Sequence, residues 1–286
     1  MKPQEKRKKR FLSFLLISCA SVAFSYSSGI SVDAGLTPAQ DRWIFRTQLR
    51  YMSFGSMAKI NQKMEMYMVP VVLAYGLKSN LTVLCRQPIM RRDMSMMGAS
   101  HAENGFGDLF VMGKFKIYRR NTLNYTLGVA ATIGIEAPTG SDAFSSKTWD
   151  LQPGLYFSWR RGSLGSDVSI AYTWNGFANK GQNGVNPGNE LAFDWAISYQ
   201  FGLGTNSRIS MAPVLEVSYR DISSDRLNSR DIENTGESIL YISSGFKFTV
   251  SSLILEALLQ LPAAQNRNRI QIERNATWLF GLRYMF

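Results

Sequence analysis

From about residue 42 to the last residue, apolar and polar side chains alternate one by one in runs of about ten residues. Trp43, Phe45, Leu49 and Tyr51 interleave with Arg46, Gln48 and Arg50, and Leu191, Phe193, Trp195, Ile197 and Tyr199 with Glu190, Asp194 and Ser198. A period of two is that of a β-strand with unlike faces. Runs this long exceed the usual soluble strand and match what a tilted strand needs to cross a bilayer. Twelve such segments are predicted, at 42–52, 66–75, 80–88, 106–118, 122–136, 149–160, 166–174, 189–201, 208–220, 238–248, 253–262 and 276–286. The second is the weakest, being apolar on both faces from Val69 to Leu73 and containing Pro70.

The connections sort by length. Residues 53–65, 89–105, 137–148, 175–188, 221–237 and 263–275 read as long polar loops, and 76–79, 119–121, 161–165, 202–207 and 249–252 as short turns. Strict alternation of long and short is the signature of an outer-membrane barrel, with long loops outside and short turns in the periplasm. The expected fold is therefore all-β: a transmembrane antiparallel up-and-down β-barrel of about twelve strands, preceded by a cleaved signal peptide.

Charge parity supports this reading independently of which face is inner. Five strands carry two or more charges: Arg42, Arg46 and Arg50; Asp108, Lys114 and Lys116; Asp150 and Arg160; Glu190 and Asp194; Arg208, Glu216 and Arg220. Within each strand every charge falls on one face. Thirteen charges with five free phases make eight independent agreements, roughly a 1 in 256 coincidence. The opposite faces are free of charge, as lipid contact demands.

Ahead of the strands, Lys2, Lys6, Arg7, Lys8, Lys9 and Arg10 precede an apolar stretch from Phe11 to Val22 and a small-residue cut site after Ala23. This is the layout of a secretory signal peptide. It divides the chain into a signal peptide at 1–23, a short periplasmic segment at 24–41 and a barrel at 42–286. The net charge of +11 falls to +6 once the leader is removed. A competing processing site, Leu16-Ile17-Ser18-Cys19, resembles a bacterial lipobox and would leave Cys19 lipidated. Cys85 is the only other cysteine and reads as a small apolar filler.

Catalytic chemistry finds little purchase. The single histidine, His101, lies in a segment His101-Ala102-Glu103-Asn104-Gly105 that faintly resembles outer-membrane phospholipases, but Glu103 stands where their serine would be. No cluster has metal-ligand spacing, no phosphate loop is present, and neither a cofactor nor a nucleic-acid partner is expected. The presumed inner face carries ten basic and eight acidic strand residues, a balance that predicts ion-pair ladders across the lumen. Arg46, Arg50, Asp108, Lys114, Glu190, Asp194, Glu216 and Glu256 are the candidates for setting selectivity or propping the pore. Tyr and Trp near strand ends, among them Trp43, Tyr75, Tyr118 and Trp278, read as interfacial girdles.

The last strand ends in Gly281, Tyr284 and Phe286 as Gly-x-x-Φ-x-Φ, which resembles the signal read by the barrel-insertion machinery. Further pieces resemble one family, the outer-membrane transporters typified by the meta pathway of phenol degradation. They are Tyr75-Gly76-Leu77 with Leu81, Gly105-Phe106-Gly107-Asp108 with Lys114, Ala137-Pro138-Thr139-Gly140, Leu151-Gln152-Pro153-Gly154, Pro213 to Glu216, and Glu256 with Gln260 and Pro262. The resemblance implies transport of small hydrophobic or aromatic solutes across the outer membrane, and passive uptake is the expected mode. Outer-membrane lipid, from the barrel pattern, and the insertion machinery, from the C-terminal signal, are the other expected partners. Two alternatives are a closed structural or adhesive barrel that binds through its loops, and a barrel lipid hydrolase.

Overall fold

A computed structural model describes residues 28–57, 62–96, 99–203, 209–228, 230–267 and 272–286. The expected signal peptide at 1–23, with Cys19, lies outside the described residues, as do residues 24–27 and Arg208.

Twelve antiparallel strands close on themselves. They are β1 (Trp43–Met57), β2 (Gln62–Lys78), β3 (Leu81–Met96), β4 (Leu109–Asn121), β5 (Thr126–Ala137), β6 (Asp150–Arg161), β7 (Leu164–Thr173), β8 (Glu190–Tyr199), β9 (Ile209–Ile222), β10 (Glu237–Val250), β11 (Leu253–Arg267) and β12 (Arg274–Met285). Each pairs with its neighbours in sequence, and β1 pairs with β12 from Ile44↔Met285 to Phe54↔Arg274. Reciprocal backbone hydrogen bonds between Trp43 and Phe286 complete the seam. Closure pairs each of these twelve strands with a neighbour on either side, the condition for placing strands in hydrocarbon.

The two faces separate as the alternation predicts. Leu49, Val111, Ile133, Leu155, Ile170, Phe193, Leu215, Phe246, Leu255 and Phe280 stand exposed on the outer wall, while Lys114, Asp150, Arg160, Asp167, Glu216, Lys247, Glu256 and Arg283 are buried inside. An apolar exterior around a charged interior inverts the order of a soluble protein. At the short-turn end Trp43 and Tyr75 meet with ring centroids 4.4 Å apart, and Tyr284 stacks on Phe286 at 5.6 Å.

Two departures from the expected layout have physical causes. First, β1, β2, β3 and β11 run well past their predicted ends at the long-loop end, and Ala99–Phe106 folds back as a further strand against β3. Residues expected as loops at 53–65, 89–105 and 263–275 therefore hold strand as well. Above a bilayer both faces of a strand meet water, so the pairing persists while the alternation that marks it disappears. Second, β2 tolerates Pro70 because it lies directly opposite Pro88 of β3. The β1–β2 ladder lapses beside it, between Thr47↔Val71 and Arg50↔Met68, so the missing N–H interrupts pairing locally without ending the strand.

The remaining long loops are tied together. Val185–Asn186, Arg226–Leu227 and Arg230–Asp231 form a small three-stranded sheet, and Gly188 donates to Asp225 at 2.8 Å.

Candidate functional site

The lumen holds the chain's own N-terminal segment. Residues 28–38, expected to be periplasmic, thread into the barrel, with Ser28, Ile30 and Val32 fully enclosed. This segment has no regular secondary structure, so its backbone groups need partners from the wall. The inward charges supply them. Asp167 on β7 accepts from the Ser28 amide, and Lys247 on β10 donates to the Ser28 carbonyl at 2.7 Å. Glu216 on β9 accepts from the Ile30 amide, from the Ser31 amide at 3.1 Å and from the Ser31 hydroxyl. Arg46 donates to the Ile30 carbonyl, joined by Gln48 Nε2 at 3.1 Å. Lys114 on β4 donates to the Ala34 carbonyl at 2.7 Å, and the Gly35 amide donates to Ser158 on β6 at 2.8 Å.

Packing completes the seat. Ile30 clusters with Val214, Leu258 and Leu279, which point inward from β9, β11 and β12. Burying one isoleucine stabilises the docked segment by about 1.5–3 kcal/mol. Gly35 passes so close to β6 that a Cβ there would meet the Tyr156 carbonyl oxygen at 2.6 Å, and a Cβ on Gly128 would meet Leu36 at the same distance. At Gly35 the obstacle is backbone, so only glycine permits the approach, whereas at Gly128 it is the end of the Leu36 side chain. Residues 28–38 are therefore a plug, positioned by side chains from most of the barrel circumference.

The remaining charges pair with one another. Glu256 bridges Arg283 at 2.8 Å and Arg46 at 3.7 Å, which offsets the repulsion between two arginines that face each other across β1 and β12. Arg160 pairs with Asp167 at 2.8 Å, and Arg86 with Glu136 at 3.3 Å. Arg220 pairs with Glu190 at 3.3 Å and with Asp194 at 2.8 Å near the long-loop end. The expected ladders exist, but Arg46, Lys114, Asp167, Glu216 and Lys247 also bond the plug.

Two cavities flank the plug. One, of about 210 Å³, is walled by β1–β4, β6 and β12 together with residues of the plug, including Asp33, Leu36 and Pro38. The other, of about 410 Å³, is lined by Glu190, Ser218, Arg220, Tyr241 and Arg274 among others. Ser31 of the plug and Arg50 of β1 border both, and so mark the partition between them.

The candidate residues thus divide into two groups. Arg46, Lys114, Glu216 and Glu256 surround the plug, with Arg50 at the partition. Asp108, Glu190 and Asp194 lie elsewhere. Asp108 accepts from the Gly140 amide at 2.8 Å and the Ser146 amide at 3.0 Å, clasping the loop between β5 and β6. Asp167, Lys247, Ser158, Gln48 and Arg283 were not singled out beforehand. Their inward parity was visible, but nothing in their strands announced a partner from residues 28–38. Gly281 faces the lumen, where a Cβ would press on Glu256 and Gln48, while Tyr284 and Phe286 are exposed on the outer wall. His101 is exposed on the hairpin strand at 99–106, 3.4 Å from Glu103.

The family model described as "Putative MetA-pathway of phenol degradation" matches residues 71–271. The chain belongs to this family. Its match spans β2 through β11 and the long loops, so the resemblance drawn from scattered motifs covers most of the barrel. The fold is shared with the crystal structure of an outer membrane channel from Pseudomonas putida F1, at 16% identity and a TM-score of 0.63, over 90% of this chain and 100% of that one. Looser likenesses are to the NanC porin (13% identity, TM-score 0.47, 84% and 98% covered) and to the β domain of the Bordetella autotransporter BrkA (11% identity, TM-score 0.48, 87% and 100% covered). No curated protein sequence matches the chain.

Proposed function

We propose that this protein is a passive channel of the bacterial outer membrane for small solutes with hydrophobic or aromatic bodies, closed at rest by residues 28–38. One observation carries the reading: a closed barrel with an apolar exterior whose lumen contains two solute-sized cavities bordered by a segment of its own chain. A barrel built only as a scaffold needs neither cavity. Family membership and the shared fold of the Pseudomonas outer membrane channel agree with it. In this reading the long loops face outward and the short turns and plug face the periplasm.

The filled lumen lends specific support to the closed structural or adhesive barrel as a second reading. Planar-bilayer conductance separates the two. Wild-type protein is expected to give small or intermittent currents, and Gly35→Val, which cannot seat against β6, larger and steadier ones. Absence of current from both, with no solute uptake in liposomes, would favour the closed barrel. For the hydrolase alternative the expectation is no turnover of phospholipid by purified, refolded protein.

A further inference from the structure

The 210 Å³ cavity has an uneven charge. Arg46, Arg50, Arg86, Lys114 and Arg283 line it, and the only carboxylate among its lining residues is Asp33. Glu256 and Glu136, just outside, engage Arg283, Arg46 and Arg86. Lys114 is occupied by the Ala34 carbonyl and the face of Tyr156, whose centroid lies 4.5 Å from its ammonium. Arg50 is different. Its guanidinium donates only to Gln48 Oε1, from Nη2 at 2.8 Å and Nε at 3.3 Å. Among the described residues no carboxylate lies within ion-pair distance of Arg50, and its Nη1 has no protein partner.

A second observation comes from β3, two strands away. The Thr82 hydroxyl is buried at the same cavity and has no hydrogen-bond partner. A buried polar group without a partner is costly, which marks a place for an incoming group. Beside Arg46, Arg86 and Lys114 the wall has an apolar part, built from Val72, Leu84, Phe110 and Met112, with the Arg86 guanidinium 4.5 Å from the Phe110 ring centroid. An apolar cavity of roughly 150 Å³ holds a benzene, so this space admits a single ring with a substituent.

We propose that this cavity is a recognition site for a small aromatic carboxylate, its ring against Val72 and Leu84 and its carboxylate on the Arg50 guanidinium at the partition. The planar fork of an arginine matches a carboxylate, and the surplus of cations around it favours an anion over a neutral ring. This inference rests on the channel reading and narrows its substrate class from hydrophobic solutes to anions with an apolar body.

The test is calorimetric titration of the purified full barrel in detergent with sodium benzoate and with benzyl alcohol, its neutral counterpart. Benzoate is expected to bind at one saturable site, at least about tenfold more tightly than benzyl alcohol. Arg50→Gln is expected to weaken benzoate by about 10- to 100-fold, with Arg50→Lys intermediate and benzyl alcohol unchanged. Arg161→Gln, an exposed charge at the short-turn end, serves as the control and leaves both unaltered. Equal affinity of wild-type protein for the two compounds, or no binding of benzoate, overturns the proposal without any variant being needed. So does an Arg50→Gln protein that migrates as a folded barrel and keeps full benzoate affinity. Binding in detergent does not depend on conduction. Discrimination without current would refute the channel alone, and current without discrimination would refute the anion site alone.

Discussion

At the scale of single residues, five of the lumen charges act as partners for the plug backbone. A carboxylate such as Glu216 takes the amide hydrogens of Ile30 and Ser31, and ammonium groups such as Lys114 and Lys247 take carbonyls two or more residues away. Each bond satisfies a main-chain group that the plug cannot satisfy internally, and leaving one such group bare costs about 1–3 kcal/mol. Glu216→Leu removes the acceptor for two adjacent amides and should unseat the plug while the barrel stays intact. The measurement is the rate at which a bulky maleimide labels Ser31→Cys in a Cys85→Ser background. We expect Glu216→Leu to raise that rate by about tenfold or more, the factor corresponding to the loss of one such bond. An unchanged rate would show that Ile30 packing and the other wall contacts hold the plug without Glu216. Heat-modifiable gel migration should be the same with and without the substitution, because Glu216 makes no contact that closes the sheet.

At the scale of elements, the strands were readable and the plug was not, for one physical reason. A strand between lipid and a watery lumen must alternate, so Leu109 to Ile117 or Leu191 to Tyr199 reveals itself residue by residue. Residues 28–38 obey no period, because their fit is set by what surrounds them. Gly35 is glycine on account of the Tyr156 carbonyl, more than a hundred residues away. The family motifs gain meaning from the same view. Gly105 to Asp108 and Pro138 to Gly140 interlock, since Asp108 accepts the Gly140 amide and a Cβ on Gly140 would meet the Gly107 backbone at 2.8 Å. Pro213 to Glu216 supplies Val214 and Glu216 to the plug, and Tyr75 and Gly76 hold its exit through Asp41 and Arg42.

The plug also carries a titratable group of its own. Burial alone would raise the Asp33 carboxyl, but Lys114, Arg46, Arg283 and Arg86 outweigh it and hold it below its ordinary value of 3.8. A carboxylate depressed in the docked state stabilises docking above that ordinary value, and the contribution is lost as pH falls through the docked value. Labelling at Ser31→Cys should therefore accelerate below about pH 4. Glu216, Asp167 and Glu256 face the same plug or its partners, so the comparison that isolates Asp33 is with Asp33→Asn. That variant should label faster than the parent at neutral pH and show a smaller rise in acid. Identical profiles for the two proteins would assign the acid response to the wall.

At the scale of the whole molecule, charge is arranged around the barrel as well as across its wall. The inner-face totals are nearly balanced in sequence, yet the cavity beside β1–β4 is lined by five cations and one carboxylate, while Asp150, Asp167, Glu190, Asp194 and Glu216 lie on β6 to β9. Parity tells which face a charge occupies, but not which neighbours share its height. That depends on register, which only the folded sheet fixes. The outer wall makes the complementary statement, and it can be tested on stability. Leu155 sits mid-strand on β6 and is about half exposed, at 52%. In water such a residue could become arginine at little cost. Against hydrocarbon, an arginine near the midplane costs about 2–4 kcal/mol. Leu155→Arg should therefore lower the free energy of unfolding in lipid vesicles by about that amount, measured by urea titration, and should cost less at Trp174, where β7 ends at the long-loop side. Equal and small losses at both positions would mean that this apolar band does not face lipid.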